Sequence, residues 1–461
     1  CTNTKRHSRP PLTAARLVLS KCSWTRRTES LIAQTSYPMS DRQRVIIVGG
    51  GVIGVSTAYA LARRGAEVEL VERQKIGAGA SGGNAGTIAV GHPPLNRPGR
   101  FTELLRWITK SSSPLYVKPR VDPSLWRWLL GFYRYCTAEH VQHAMSVMAP
   151  LGHDALQSFE HVLSEEQIEC GYRSGGYLEV CSTESALDHA HHEAALISEY
   201  GYKPELIDGD ELRLREPALG PDRIGAVHYH ESATLSPSAF LSGLTKASRR
   251  YGVRFHTGAG VTQVNHKGDK VTGVTLDSGK ILNCDTVVLA TGTYSKKLPR
   301  AFGLHVPVQP GKGYHREVAI GSNGAPNLRI ACVLAEHAVF CTPMRASVRF
   351  AGTMEFSGEN NEIRPDRLNQ LTIAAREAFP HMGTAQPHSE WCGLRPMSID
   401  GLPIIGFIPG IEGLVLATGH GMLGLTLGPV TGDIVANQVL DGSDPRATHL
   451  SPARFASRKR N

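Results

Sequence analysis

A chain of 461 residues with 41% hydrophobic and 20% charged residues is long enough for two or three domains of about 150 residues, each with its own core. These proportions exclude a disulfide-stapled miniature, a disordered or collagenous chain and a membrane-spanning bundle. The net charge of +9 invites a nucleic-acid reading, yet residues 1–38 hold +6 and residues 451–461 hold +4, so the body carries −1 and presents no basic face to a polyanion.

In chain order, residues 1–38 are rich in Arg, Ser and Thr and lack a sustained apolar period. Their composition resembles a transit peptide. The opening on Cys1 instead of Met favours an over-extended terminus with the natural start at Met39, and the segment is expected to be disordered. Nine scattered cysteines without any C-x-x-C point to a reducing compartment and to no zinc site, and the expected location is the cytoplasm.

Residues 45–48 (VIIV) form an apolar, β-branched run suited to a buried parallel strand. The run ends in Gly49-Gly50-Gly51-Val52-Ile53-Gly54, a G-x-G-x-x-G, and residues 52–62 then keep a helical spacing up to a stop at Gly65. A second buried strand, 68–71, ends at Glu72. In this order, Gly49 allows the tight turn, Gly51 lets backbone approach a pyrophosphate and Gly54 permits close helix-on-strand packing. The phosphates then face the positive end of the helix dipole. Glu72, at the carboxyl end of that second strand, is placed to accept from ribose hydroxyls, which argues against a 2′-phosphate. The motif alone does not separate FAD from NAD. Arg73 and Val261 are read as lining the same cofactor.

Further along, residues 125–135 (LWRWLLGFYRY) read as a helix packed on its own domain, with the alternative that it lies on the inner face of a membrane as a peripheral contact. His189, His191 and His192 fall on a solvated helical face, and His228 and His230 alternate along a strand surface. Ser236 and Pro237 open a helix that reaches Tyr251. A hairpin turning at Asp277-Ser278-Gly279 precedes the strand 286–289 and the loop Ala290-Thr291-Gly292, which brings the chain back beside the dinucleotide. Strands are expected at 176–181 and 348–356, and a helix at 365–379. Gly419-His420-Gly421-Met422-Leu423-Gly424 repeats the G-x-G-x-x-G spacing, but the stretch 425–461 that follows is too short for a second nucleotide-binding unit. It reads as a loop whose backbone N–H groups, backed by the helix near 429–440, face a flavin ring. One dinucleotide site leaves NAD(P)H without a domain, so substrate is expected to reduce the flavin directly.

From about residue 44 to 440 the chain resembles the D-amino acid oxidase superfamily of FAD-dependent oxidoreductases, and within it the bacterial D-amino acid dehydrogenase small-subunit branch. The resemblance rests on Ala80-Ser81-Gly82-Gly83-Asn84-Ala85-Gly86, on Pro310-Gly311-Lys312-Gly313-Tyr314, on Trp391-Cys392-Gly393-Leu394-Arg395-Pro396-Met397 with Asp400-Gly401 and Pro403, and on Thr418 to Gly424. It implies an α/β fold in which a discontinuous Rossmann-like FAD-binding domain (39–92, 234–302, 391–445) holds an inserted α+β substrate domain on a mixed sheet (93–233, 303–390), followed by a basic tail, 446–461. It implies non-covalent FAD, with Ser81, Asn84, Ala85 and Gly86 contacting the cofactor. Arg395 is expected to grip a substrate carboxylate through its planar fork. Tyr314 is expected as a hydroxyl donor to the same carboxylate or a wall of the pocket; Lys312 has no assigned role. The activity implied is oxidation of the Cα–N bond of D-amino acids by hydride transfer, with a quinone, carrier protein or oxygen as acceptor. The alternative is oxidation of secondary amines or imino acids such as hydroxyproline, sarcosine or glycine. His315-Arg316-Glu317, where a small polar run is expected, speaks for that alternative. No metal and no nucleic-acid partner are expected.

Overall fold

The computed structural model describes residues 42–99, 113–118, 120–321 and 323–456, so the expectations for residues 1–38 and for the basic residues 458–460 lie outside the described residues. The first sheet has six strands in the order Arg254–Thr257, Glu67–Glu72, Arg44–Val48, Thr286–Leu289, Leu414–Thr418 and Ile404–Phe407. The first five run parallel, and only Ile404–Phe407 is antiparallel. Val45, Ile46 and Ile47 are at most 1% exposed, as the unbroken apolar run requires for a strand covered on both faces. Helices Val52–Arg63, Pro237–Arg250 and Gly428–Asp441 share one core with this sheet. Gly432 lets the last of these cross the first closely, since a Cβ there would lie 2.6 Å from the Ser56 carbonyl oxygen.

The second sheet is mixed, with nine strands. Ser389–Ser398, Val308–Ala319, Ser347–Phe356, Val339–Pro343, Ala331–Leu334, Tyr177–Cys181, Gly225–Tyr229 and Glu205–Asp208 follow one another, and Leu115–Val117 pairs with Ser347–Phe356 off that path. Helix Pro365–Ala378 packs on one face with Tyr314, Phe350 and Leu371 in its core. The predicted strands at 176–181 and 348–356 and the helices opening at 237 and 365 are all present, with small shifts at their ends.

Two segments pack differently from the expected boundaries. Strand Ser389–Ser398 belongs to the nine-stranded sheet, pairing along its length with Val308–Ala319, so the segment placed in the cofactor domain from residue 391 begins in the other sheet. Helix Ala138–Glu166, placed with the substrate domain, shares a core with the helices of the first sheet. In the described part of the basic C-terminal segment, Arg454 pairs with Asp400 at 2.8 Å, and Arg446 with Asp444 at 2.8 Å and Asp154 at 3.1 Å.

Helix Pro123–Arg134 packs Leu125, Trp128, Leu129 and Phe132 inward, while Trp126 and Leu130 are more than half exposed. Among the described residues no helix is long and apolar enough to cross a membrane. His228 is not on a strand surface as its alternation suggested: it is buried, with Nε2 2.7 Å from the Gly175 carbonyl.

Candidate active site

The carboxyl ends of the parallel strands converge, as ligand sites of open α/β sheets do. Gly49 follows the first strand at φ +115°, and a Cβ there would lie 2.4 Å from the Ala290 oxygen. A Cβ on Gly54 would lie 1.9 Å from the Gly49 oxygen. Only glycine builds this turn, and it leaves the N-terminus of helix Val52–Arg63 without a side-chain cap from Gly51. The neighbouring Val52 N–H is met by Ser81 Oγ at 2.9 Å. This glycine cradle, at a helix N-terminus where Gly51 has no side chain to fill it, fits a dinucleotide pyrophosphate.

Glu72 accepts from the Gly50 N–H at 2.7 Å and the Gln74 N–H at 2.8 Å, so it ties the turn while its remaining lone pairs stay available to a ribose. Arg73 lies over the Tyr294 ring at 3.8 Å. The segment leading to Val261 joins the same rim, for the Ala259 N–H donates to the Glu72 carbonyl at 3.1 Å. Thr291 and Gly292 are linked to the last parallel strand through Ser295 and Thr418.

The 81–86 loop is held against the nine-stranded sheet. The Gly83 carbonyl accepts from His315 Nδ1 at 2.8 Å, and the Asn84 carbonyl from Arg349 Nη1 at 2.5 Å. Asn84 Oδ1 accepts from the Gly86 N–H at 2.9 Å, and the Leu235 N–H closes on the Gly86 carbonyl at 2.8 Å. Ala85 stands between these anchors. Burial and the neighbouring Arg349 push His315 down to about 4, so its ring is neutral; it stacks on Trp391 at 5.2 Å. Sequence reasoning noted His315 as a departure but gave it no role, and it missed Arg349. No local motif signals either, because both act through a contact between distant segments.

In the 419–424 loop, Gly419 and Gly421 take φ +77° and +54°. The Gly421 N–H is used by the Pro396 carbonyl at 2.9 Å and the Leu423 N–H by His420, which leaves Met422 and Gly424 as the nearest candidates to face a ligand. The His420 side chain turns inward to Thr431 Oγ1 at 3.0 Å, and burial pushes it down to about 3.

Arg395 and Tyr314 do not share a face. Strand Val308–Ala319 alternates, so Gly311, Gly313 and His315 look one way and Lys312 and Tyr314 the other. The Tyr314 hydroxyl donates to Glu355 Oε2 at 2.8 Å, buried in the core under helix Pro365–Ala378, and Lys312 Nζ meets Asn360 at 2.5 Å. The expected role of Tyr314 as a carboxylate donor is therefore overturned by the period of its strand. The Arg395 guanidinium lies over Gly313, where a Cβ would come within 2.3 Å of Cζ. Its Nη1 donates to the Thr353 carbonyl at 2.7 Å, and no carboxylate among the described residues pairs with it. Arg395 is half-buried, and desolvation pushes it down to about 10 with no counter-ion among the described residues to offset it.

Among the described residues, one cluster elsewhere holds possible ligand atoms: Glu205, His228 and His230 bring one each within 4.8 Å of one another. Arg215 fills that place with its own charge, donating to both Glu205 oxygens at 2.7 Å.

A glycine cradle between the carboxyl end of a parallel strand and a helix N-terminus defines a dinucleotide-binding protein. The family model for FAD dependent oxidoreductases matches residues 44–438, and the chain belongs to that family, whose cofactor is FAD. It is similar to a D-amino acid dehydrogenase of Methylobacterium nodulans, at 33% identity over 89% of this chain and 99% of the relative. Among solved structures it is similar to glycine oxidase from Bacillus cereus (TM-score 0.68, 25% identity, 91% of this chain and 100% of that one). It shares its fold with L-proline dehydrogenase from P. horikoshii (TM-score 0.68, 17% identity, 90% and 98%).

Proposed function

We propose that the protein oxidises the Cα–N bond of D-amino acids, giving an imino acid that hydrolyses to a keto acid and ammonia. The observation that carries this reading is the half-buried Arg395 guanidinium, held at one end by Thr353 and lacking a carboxylate partner among the described residues. Its free edge presents the planar fork that an α-carboxylate fills. The name of the Methylobacterium relative supports the D-amino acid class.

FAD would be held by Gly49, Gly51, Val52, Ile53 and Gly54 at the pyrophosphate, by Glu72, Arg73 and Val261 around the adenosine, and by Ser81, Asn84, Ala85, Gly86, Ala290, Thr291, Gly292 and residues 419–424 along the rest of its length. When bound it supplies the acceptor for the hydride leaving Cα. Arg395 fixes the carboxylate and with it the direction of the Cα–H bond. Helix Gly428–Asp441, uncapped by any side chain at Leu427, turns its positive end toward the 419–424 loop and favours negative charge there. The neutral ring of His315 adds no positive charge to repel a substrate amine. The six-stranded sheet and its helices serve the cofactor, and the nine-stranded sheet serves the substrate.

A second reading, oxidation of secondary amines or imino acids such as hydroxyproline, sarcosine or glycine, is favoured by the flat His315–Trp391 stack beside the 83–84 loop. Anaerobic mixing of the FAD-loaded protein with D-amino acids, L-amino acids and imino acids separates the two: D-amino acids bleach the flavin in the first case, and only secondary amines or glycine in the second. Reoxidation by oxygen, a quinone analogue or a carrier protein then identifies the acceptor. A cytoplasmic protein touching the inner face of the membrane through Trp126 and Leu130 is the location this reading supports.

A further inference from the structure

Between the pairs Lys312–Glu355 and Tyr314–Gly352, one residue of strand Val308–Ala319, Gly313, is opposed by two of strand Ser347–Phe356. Those two are Thr353 and Met354. Thr353 stands at φ +60°, the left-handed region that a β-branched residue avoids most strongly. Such backbone persists where the surroundings over-determine it, and it gathers at functional sites. Gly352 faces the core under helix Pro365–Ala378, where a Cβ would lie 3.3 Å from Leu371, and past it the bulge interrupts the alternation and brings Thr353 beside Arg395. Met354 lies there too: its sulfur is 3.8 Å from Arg395 Nη1. The strained residue therefore offers its carbonyl to Arg395 at 2.7 Å, while its own Oγ1, on a side chain in a residue only 7% exposed, has no hydrogen-bond partner. Other buried hydroxyls share that lack, Thr342 and Ser398 among them, but Thr353 joins it to a left-handed backbone and a carbonyl on Arg395.

We propose that the Thr353 hydroxyl is a second anchor for the substrate carboxylate, donating to an oxygen of the group that Arg395 holds. This rests on the reading of Arg395 as the carboxylate site. A 120° rotation about χ1 brings Oγ1 to the place of Cγ2 and leaves the carbonyl on Arg395 undisturbed, so the hydroxyl has more than one direction in which to meet a carboxylate held on the free edge of the guanidinium. The bulge thus makes one residue serve twice: its backbone aims the arginine and its side chain completes the anion site.

The test titrates the FAD-loaded enzyme with propionate, a carboxylate with no amine to oxidise, and follows the flavin spectrum, with D-alanine turnover measured in parallel. Thr353→Val keeps the branched shape and removes the hydroxyl, and it should weaken propionate binding about tenfold or more. Thr353→Ser should stay within about threefold of the native protein. Thr353→Gly removes the strain together with the hydroxyl; it should melt no lower than the native protein yet bind propionate as poorly as the valine variant, and it decides the matter if the valine variant does not fold. A purely structural threonine would make the glycine variant bind normally. Native-like binding by Thr353→Val or Thr353→Gly, with Arg395→Met defective, overturns the proposal. Native-like binding by Arg395→Met overturns the carboxylate reading itself, and the Thr353 proposal with it.

Discussion

Replacing Arg395 by Met removes the one charge that the carboxylate reading depends on, and the structure sets the size of the effect. The guanidinium has no carboxylate partner among the described residues, its only polar anchors are the Thr353 carbonyl at 2.7 Å and the Met354 sulfur at 3.8 Å, and burial pushes it down to about 10. A bidentate, charge-assisted contact in such a place comprises two hydrogen bonds of about 1.5–3 kcal/mol each. At about 1.4 kcal/mol per decade, kcat/KM for D-alanine should fall by about two to four orders of magnitude. Arg395→Lys keeps the charge and loses the fork, so it should recover only part of the loss. Because burial disfavours the charged arginine in the folded state, Arg395→Met should keep or raise Tm, which separates a lost contact from a lost fold. FAD content and the visible spectrum of the variant should match the native protein. Unchanged kcat/KM across an amino acid panel, at full FAD content, would refute the reasoning.

Gly54→Ala places a methyl 1.9 Å from the Gly49 carbonyl oxygen, a contact that neither backbone segment can yield, so FAD uptake measured by flavin fluorescence should be lost or fall at least a hundredfold, about 3 kcal/mol. Gly313→Ala places a methyl 2.3 Å from Arg395 Cζ; it should displace the guanidinium and raise KM for carboxylate substrates about tenfold or more, with FAD binding intact. His315 and His420 are held neutral, at about 4 and about 3, below the unfolded value near 6.5. The unfolded chain therefore binds more protons below that value, and stability should fall as pH drops through 6.5 toward 4. From pH 6.5 to 5 each ring contributes a loss of about 1.6 kcal/mol, visible as a drop in Tm that His315→Asn makes shallower.

The cofactor half of this protein was legible because its signals are local. A tight turn at Gly49, a close approach at Gly54 and an acid at the end of the next strand all fall in the single stretch from Gly49 to Glu72, and their φ values and clearances follow from residue type. The family resemblance pointed to Arg395 in the same way, as part of a contiguous motif. What eluded the sequence depends on which segments meet. Tyr314 and Arg395 lie in neighbouring strands, but alternation along the strand sends the tyrosine to Glu355 and leaves Gly313 beneath the arginine. Thr353 is an ordinary strand residue in sequence, and only the mismatch of two residues against one reveals its left-handed backbone. His315 and Arg349 clamp the carbonyls of Gly83 and Asn84, from a segment remote in the chain, and Arg454 leaves the apparent basic tail to neutralise Asp400. The sequence by itself determined the elements, the cofactor turn and the neutral charge of the body, since these need only nearest-neighbour chemistry. The tertiary structure alone decided which faces and carbonyls meet around Arg395, because strand phase, a bulge and long-range pairing are properties of the assembled sheet.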